Sequence, residues 1–422
     1  MTLPSQLSVP LSAPRPVAPR GFSLLLLLAC VGAGAAQMTA ALLTLALKAD
    51  QLDASTATTT ISLSSGIAGV FTLVALPLVG TLSDRSRSRA GRRRPFLLGS
   101  ALAFVAGGAL LVVAPDVPTY VVAQLLTTLG FVGATITCTA LLTDQLPADR
   151  RGPAAALVSL GTPLGALAGL GMTSPFGSDL VPLVALPTGL AVVCLVLLAV
   201  AVPDRCHPHP RPRVDLRQVL GMFWVNPLRH RDFAWVFTSR VLVFSGVAAL
   251  NIYQPLFLMA RLHVAPPDLG RSILLTVVVN AGVTLLVAPA VGRLSDRVGA
   301  RKPFIVVAAL VFTAGLVLAA VVTTFPGYLL ACAVVGLGQG VYFAVELALA
   351  TTVLPDPENP AKDLGLVKVA DNLPQTLVAA VAPALIALGV HGADRNWSAL
   401  FLAGAAAALL GGLAITFVRG AR

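Results

Sequence analysis

The apolar residues of this chain neither alternate nor follow a single helical stripe; they come in long unbroken runs. From Phe22 onward, blocks of roughly 20 or more Leu, Val, Ala and Gly residues are separated by short segments that hold nearly all the Arg, Asp and Glu. A block of that length crosses the hydrocarbon core of a bilayer as a helix rising about 1.5 Å per residue. Within lipid each backbone N–H and C=O must be paired inside its own segment, which selects helices. The ten-residue alternation of a membrane barrel does not occur. Twelve spans are predicted, at about 22–47, 58–80, 95–115, 119–143, 153–176, 181–203, 233–259, 268–292, 303–325, 327–353, 364–391 and 396–418. The expected fold class is an all-α membrane protein, with twelve transmembrane helices in two six-helix bundles.

The loops divide the chain further. Residues 1–21 read as a short, Pro-rich cytoplasmic tail, 22–203 as the first bundle, 204–232 as a linker, 233–418 as the second bundle and 419–422 as a closing tail. The run that starts at Phe22 is too long for the core of a cleavable signal. The linker carries Pro208, Pro210 and Pro212, and then Val214 to Trp224 reads as an amphipathic helix at the membrane surface. A plain connector is the equal alternative.

Composition agrees with the pattern: 56% of residues are hydrophobic, 11% are charged, and the mean hydropathy is +0.87. A soluble chain of this size needs a far denser charged skin. The net charge of +11 would suggest nucleic acid in a soluble protein. Its distribution indicates membrane topology instead. With the N-terminus inside, 24 of the 29 Lys and Arg fall on the inner side. Only Lys48, Arg261, Arg271 and Arg395 fall outside, and Arg240 lies within a span. The expectation is therefore an inner (cytoplasmic) membrane protein with both termini cytoplasmic, monomeric, in contact with anionic lipid and not with nucleic acid. Cys30, Cys138, Cys194 and Cys332 lie in apolar runs, where cysteine acts as a small hydrophobe. Cys206, His207 and His209 lack a second ligand cluster, so a solvated loop is favoured over a metal site. No cofactor is expected.

The two halves repeat one another. Pro77-Leu-Val-Gly80-Thr-Leu-Ser-Asp84-Arg85 precedes Gly91-Arg92-Arg93-Arg94-Pro95-Phe96, and Pro289-Ala-Val-Gly292-Arg-Leu-Ser-Asp296-Arg297 precedes Gly299-Ala-Arg301-Lys302-Pro303-Phe304. Pro95 and Pro303 are 208 positions apart, as are Leu146-Pro147 and Leu354-Pro355, while the first loop is four residues longer. In each copy the glycine at 80 or 292 admits close helix approach at a tight turn, the aspartate suits a helix N-terminus or an arginine, and the proline opens the next helix. Topology alone does not require this motif twice, so Gly80, Asp84, Arg85, Gly91, Arg92, Gly292, Asp296, Arg297 and Arg301 are read as a conformational latch.

This loop resembles the Gly-x-Leu-x-Asp-Arg-x-Gly-Arg-Arg signature of the major facilitator superfamily, and the resemblance extends over essentially the whole chain. It implies two bundles rocking about a midplane site lined by spans one, four, seven and ten. The longer first loop, with Asp363-Leu-Gly365 and Asn372-Leu-Pro374-Gln375, is similar to the sucrose/proton symporters and the glycoside–pentoside–hexuronide cation symporters. Gly161-Thr-Pro163-Leu-Gly165 partly resembles the fifth-helix Gly-Pro pattern of drug/proton antiporters, with Thr162 interrupting the match.

Ionisable residues inside a membrane are costly and so are functional candidates. Arg240 and Glu346 are placed about 10 Å from the inner face of spans seven and ten. Either Glu346 binds a coupling proton with Arg240 as its counter-charge, or the two form a static ion pair; both readings stand. Gln37, Gln124, Asn251, Gln254, Asn280, Gln339 and Tyr342 are candidate contacts for a hydroxyl-rich small-molecule substrate. Each is equally suited to bonding helices together. Asp371 is one turn from Lys368 and is expected to pair with it. Asp144 is placed near the first loop's charges.

No phosphate loop and no nucleophile or metal constellation is found, so the chain is not expected to be an enzyme and ATP does not drive it directly. The leading expectation is a secondary active transporter coupled to protons or another cation, importing a sugar or glycoside. Proton-coupled efflux of a drug or metabolite is the alternative. A non-transporting membrane sensor or scaffold comes last, since it has no need of two latches.

Overall fold

The computed structural model describes residues 21–86, 88, 91–202, 230–299, 301–352, 360–389 and 395–418. Among the described residues, twelve helices are long and apolar enough to cross a membrane. They are α1 (Phe22–Leu52), α2 (Ala57–Arg85), α3 (Arg94–Val113), α4 (Val117–Gln145), α5 (Arg150–Phe176), α6 (Leu180–Ala201), α7 (Arg231–Ala260), α8 (Leu269–Val298), α9 (Lys302–Val321), α10 (Phe325–Thr352), α11 (Pro360–Ile386) and α12 (Trp397–Thr416). The expected linker helix at 214–224, the Cys206–His209 segment and both tails lie outside the described residues.

Local chemistry sets the helix starts. The Asp116 carboxylate accepts from the Thr119 amide at 2.9 Å and opens α4, and Asn396 does the same for α12 through the Ala399 amide at 2.9 Å. The bond from Thr119 holds the Asp116 carboxyl below the usual carboxylate range. Pro95 and Pro303 sit in the first turn of α3 and α9, where a missing N–H costs nothing.

Two elements differ from expectation. The helices α2 and α8 run on past Gly80 and Gly292 to Arg85 and Val298. A Cβ on either glycine would meet nothing within 4 Å, so neither makes a close approach or a turn. The turns belong to Gly91 (φ 112°) and Gly299 (φ 65°), whose backbones occupy the left-handed region that side chains disfavour. In addition, α1 carries a π-helical turn at Ala40–Thr44, just past Gln37.

Small residues set the packing within each half, as expected where lipid removes the hydrophobic drive between helices. On α5, Gly161, Gly165 and Gly169 face α1, and a Cβ on Gly165 would lie 2.4 Å from the Val31 carbonyl. On α12, Gly411 lies against the Ser239 carbonyl of α7 in the same manner, at 2.9 Å from a Cβ.

The halves meet along α2 with α11 and α5 with α8. A Cβ on Gly69 of α2 would overlap the Thr376 hydroxyl of α11. Beyond that crossing, at the end opposite the two charged loops, the halves are bonded together. The Ser62 and Tyr253 hydroxyls bond at 2.6 Å in a buried site, and Arg395 donates to the Ala54 carbonyl at 2.5 Å. Tyr328, Trp397 and Phe401 pack around Phe257 behind this seal, edge to face or tilted.

Tyr253→Phe removes one buried bond across the seal, a loss of about 1 kcal/mol. That shift raises the population opened at this end roughly fivefold. Labelling of an Ile61→Cys reporter by a bulky maleimide should accelerate accordingly, and an unchanged rate would show that the bond does not hold the seal.

Candidate functional site

Between the halves lies a cavity of about 720 Å³. It extends from Ile61 and Tyr120, below the seal, to Thr139 and Ser159, toward the charged loops. Its wall is mixed. Met38, Leu42, Phe131 and Ile136 supply apolar surface, while Gln37, Gln124, Asn251, Asn372 and Gln375 bring five carboxamides. Thr72, Thr128, Thr135, Thr139, Ser65 and Ser159 add hydroxyls, several of them turned back onto their own helices. Such a surface offers donors and acceptors to an uncharged ligand without a fixed charge of its own. Asp371 is the one acidic or basic side chain on the wall among the described residues.

Asp371 leads directly to the buried ions. The Arg240 Nε donates to Asp371 Oδ1 at 2.6 Å, and the second arm of the guanidinium reaches the same oxygen at 2.6 Å. Its remaining arm pairs with Glu346. The guanidinium also lies 5.1 Å from the centre of the Phe244 ring. Side-chain exposure is 4% for Glu346, 9% for Arg240 and 21% for Asp371. Three helices, α7, α10 and α11, therefore bring one cation and two carboxylates together. The cluster carries a net charge of −1 when all are ionised, in a region where charge is costly.

The other predicted contacts fall elsewhere. Gln254 donates to Thr276 and Asn280 donates to the Cys332 carbonyl at 3.3 Å, so both tie helices together. Gln339 and Tyr342 border a small apolar crevice with Phe244 and Phe312, and neither lines the cavity. The expected partner of Asp371, the Lys368 side chain, lies outside the described residues, and Asp371 itself faces α7. Positions 371, 372 and 375 share one face of α11, a helical spacing that was visible in the sequence.

At the charged end the first loop forms a network. Asp84 pairs with Arg92 and also with Arg93, the latter at 2.8 Å. Arg93, 4% exposed, continues to Asp144 of α4 at 2.9 Å and to the Ser83 hydroxyl. The second copy is plainer. Asp296 and Arg297 are exposed, and the Ser295 hydroxyl is buried without a bond. One feature is kept in both: Arg94 donates to the Val202 carbonyl at 3.0 Å and Lys302 to the Val418 carbonyl, so a cation caps the last span of each half.

Twelve spanning helices around a polar cavity with a buried ion cluster define a multi-pass membrane transporter for a small molecule. The Major Facilitator Superfamily profile matches residues 23–287 and 268–422, and the chain belongs to that superfamily. Among solved structures it is similar to a D-xylose–proton symporter, with 16% identity over 95% of this chain and 98% of that one and a TM-score of 0.69. It is also similar to a mutant of the nucleoside transporter NupG, with 14% identity, coverage of 94% and 99% and a TM-score of 0.70. A third is a bacterial homologue of the human lysosomal transporter Spinster, inward-facing and unoccupied, with 14% identity, coverage of 94% and 95% and a TM-score of 0.63. At these identities the likeness is one of fold. No curated protein sequence gives a match.

Arg93→Ala should destabilise the protein by about 1–2 kcal/mol, between the limits for exposed and buried pairs, because Arg93 is buried while its partners are partly solvated. Arg92→Ala, which leaves the Arg93–Asp84 bond in place, should cost less than about 1 kcal/mol. Melting in detergent ranks the two, and a larger loss for Arg92→Ala would contradict the network.

Proposed function

We propose that the chain is a proton-coupled secondary transporter that imports an uncharged, hydroxyl-rich solute, a sugar or glycoside, by alternating access. It sits in the inner membrane with both termini cytoplasmic, and Glu346 and Arg240 form the core of the coupling site. The observation that carries this reading is the Arg240-centred cluster, which opens onto a cavity walled by carboxamides and hydroxyls. A single proton neutralises the cluster, so its protonation state can bias one conformation over the other. The cavity's volume falls in the range typical of small-molecule sites, about 300–1,000 Å³. The structural likeness to a D-xylose–proton symporter supports the substrate class. The two loops act as latches, with the first, networked copy the stronger.

Efflux of a lipophilic drug or metabolite is the second reading. It is favoured by Met38, Leu42, Phe131 and Ile136 on the cavity wall and by the Gly161-Thr-Pro163 pattern in α5.

In liposomes under an imposed pH gradient, disaccharides should accumulate and lipophilic cations should not. Glu346→Gln should abolish uphill accumulation while leaving solute exchange within about twofold of the parent protein. Uphill transport by that variant would remove Glu346 from coupling, and movement of the cations alone would replace import with efflux.

A further inference from the structure

We infer that Cys30 of α1 and Cys138 of α4 form a two-thiol site for a soft divalent metal ion of the mercuric class, entered from the cavity. The inference lies outside the transport reading and holds whichever solute moves, in whichever direction.

Two helices of the first half bring the sulfurs together. Cys30 is 5% exposed and Cys138 is fully buried, and both sit in one apolar cluster with Leu26, Phe104 and Leu141. Within that cluster the two thiols lie within hydrogen-bonding reach of each other. A glycine makes room for Cys30. At Gly161 of α5 a Cβ would lie 2.3 Å from the Cys30 Cβ, so α5 closes on Cys30 from one side while α4 supplies Cys138 from another. The pair is not sealed off. Cys30 borders the cavity, as do Gln37 on its own helix and Ser159 and Thr162 of α5. At 5% exposure that edge admits a bare ion and excludes a bulky thiol reagent.

The donor set selects the ion. Thiolate sulfur is a soft ligand and takes soft metals. Zinc requires four ligands, and no group of three or more His, Cys, Asp or Glu side chains occurs among the described residues. Two sulfurs suffice for mercuric ion, which favours linear two-coordination. Each thiol gives its proton to the cavity and a sulfur electron pair to the metal. One Hg²⁺ and two R–SH thus yield R–S–Hg–S–R and two H⁺, with no change of oxidation state.

Charge makes the same choice. The two-thiolate complex of a divalent ion is neutral, whereas a monovalent soft ion between two thiolates leaves −1 where charge is costly. The fold also presets the second ligand. Once one sulfur holds the ion, the other closes the complex within the same molecule and needs no encounter from solution. A single cysteine has no such advantage over a free monothiol, and that difference identifies the pair. The bound ion ties α1 to α4 beside Gln37, so it alters the wall that α1 presents to the cavity.

Mercuric chloride, added at one equivalent to the full chain in nanodiscs, tests the site without a transport assay. Loading in weak buffer should release two protons per ion. After a wash with excess glutathione, a monothiol, the parent protein should keep one mercury per chain. Cys30→Ser and Cys138→Ser should each hold mercury roughly a hundredfold more weakly and lose it to the wash. Cys194→Ala and Cys332→Ala, which remove other buried thiols, should keep it. A chain carrying Cys194→Ala, Cys206→Ser and Cys332→Ala together retains the pair alone and should still keep one mercury. That variant leaves the site untouched, so it separates loss of the pair from misfolding of the serine variants. The inference is overturned if the parent keeps no mercury through the wash, if either serine variant keeps it, if the triple variant loses it, or if loading releases a single proton. Failure of the transport reading appears separately, as a parent protein that accumulates nothing under a pH gradient while it still holds mercury.

Discussion

Arg240 carries a charge that it cannot shed, in a place where an unpaired charge costs several kcal/mol. Much of the second half is arranged to meet that demand. α10 supplies Glu346, α11 supplies Asp371, and Phe244, one turn along α7 from Arg240, has its ring 5.1 Å from the guanidinium. A cluster with one cation and two anions is never neutral without a proton. The residue that makes the region expensive is thereby the residue whose bonds join three helices. A pair of matched charges would have been quieter. The second carboxylate, on the helix that touches the other half, connects local charge to the relation between the bundles.

The duplicated loops show how a repeat diverges under the same physics. Both copies keep the cation that caps the sixth helix of their half, Arg94 on Val202 and Lys302 on Val418, since a frayed C-terminus at the membrane surface needs a donor wherever it occurs. Both keep a glycine in the left-handed turn, Gly91 and Gly299. They part at the charge network. Arg93 has Asp144 at the end of α4, while the position offset by 208 from Asp144 is Thr352, which offers no carboxylate to the second loop. The repeat was built twice, and the link from loop to fourth helix through this acid was kept once.

The spans were legible because membrane helices announce themselves by composition, and the loop motif was legible because it recurs at a fixed offset. Helix ends were less so. α2 and α8 stay wound beyond the last long apolar run, to Arg85 and Val298, so the turns fall at Gly91 and Gly299 rather than at Gly80 and Gly292. Within the spans, residue type did not separate function from packing. Gln124 and Gln254 are both buried amides, yet one borders the cavity and the other bonds to Thr276 across a helix interface. Which face of a helix a residue occupies is fixed by its neighbours, and no periodic stripe marks it when every face is apolar. Asp371 was drawn toward Lys368, whose side chain lies outside the described residues; its bond to a buried guanidinium more than a hundred residues away is one that no local spacing could reveal.

The two ends of the molecule carry bonds of different kinds. The seal at Ser62 and Tyr253 is a neutral hydroxyl pair backed by aromatic packing; pH leaves it alone, and it contributes on the order of 1 kcal/mol. The first loop's network is ionic but partly solvated, so water screens it and it too is modest. That network lies within the first half, among α2, α3 and α4, whereas the hydroxyl pair joins the two halves. Among the described residues, the cluster at Arg240 combines ionic bonds with burial of both the cation and a carboxylate.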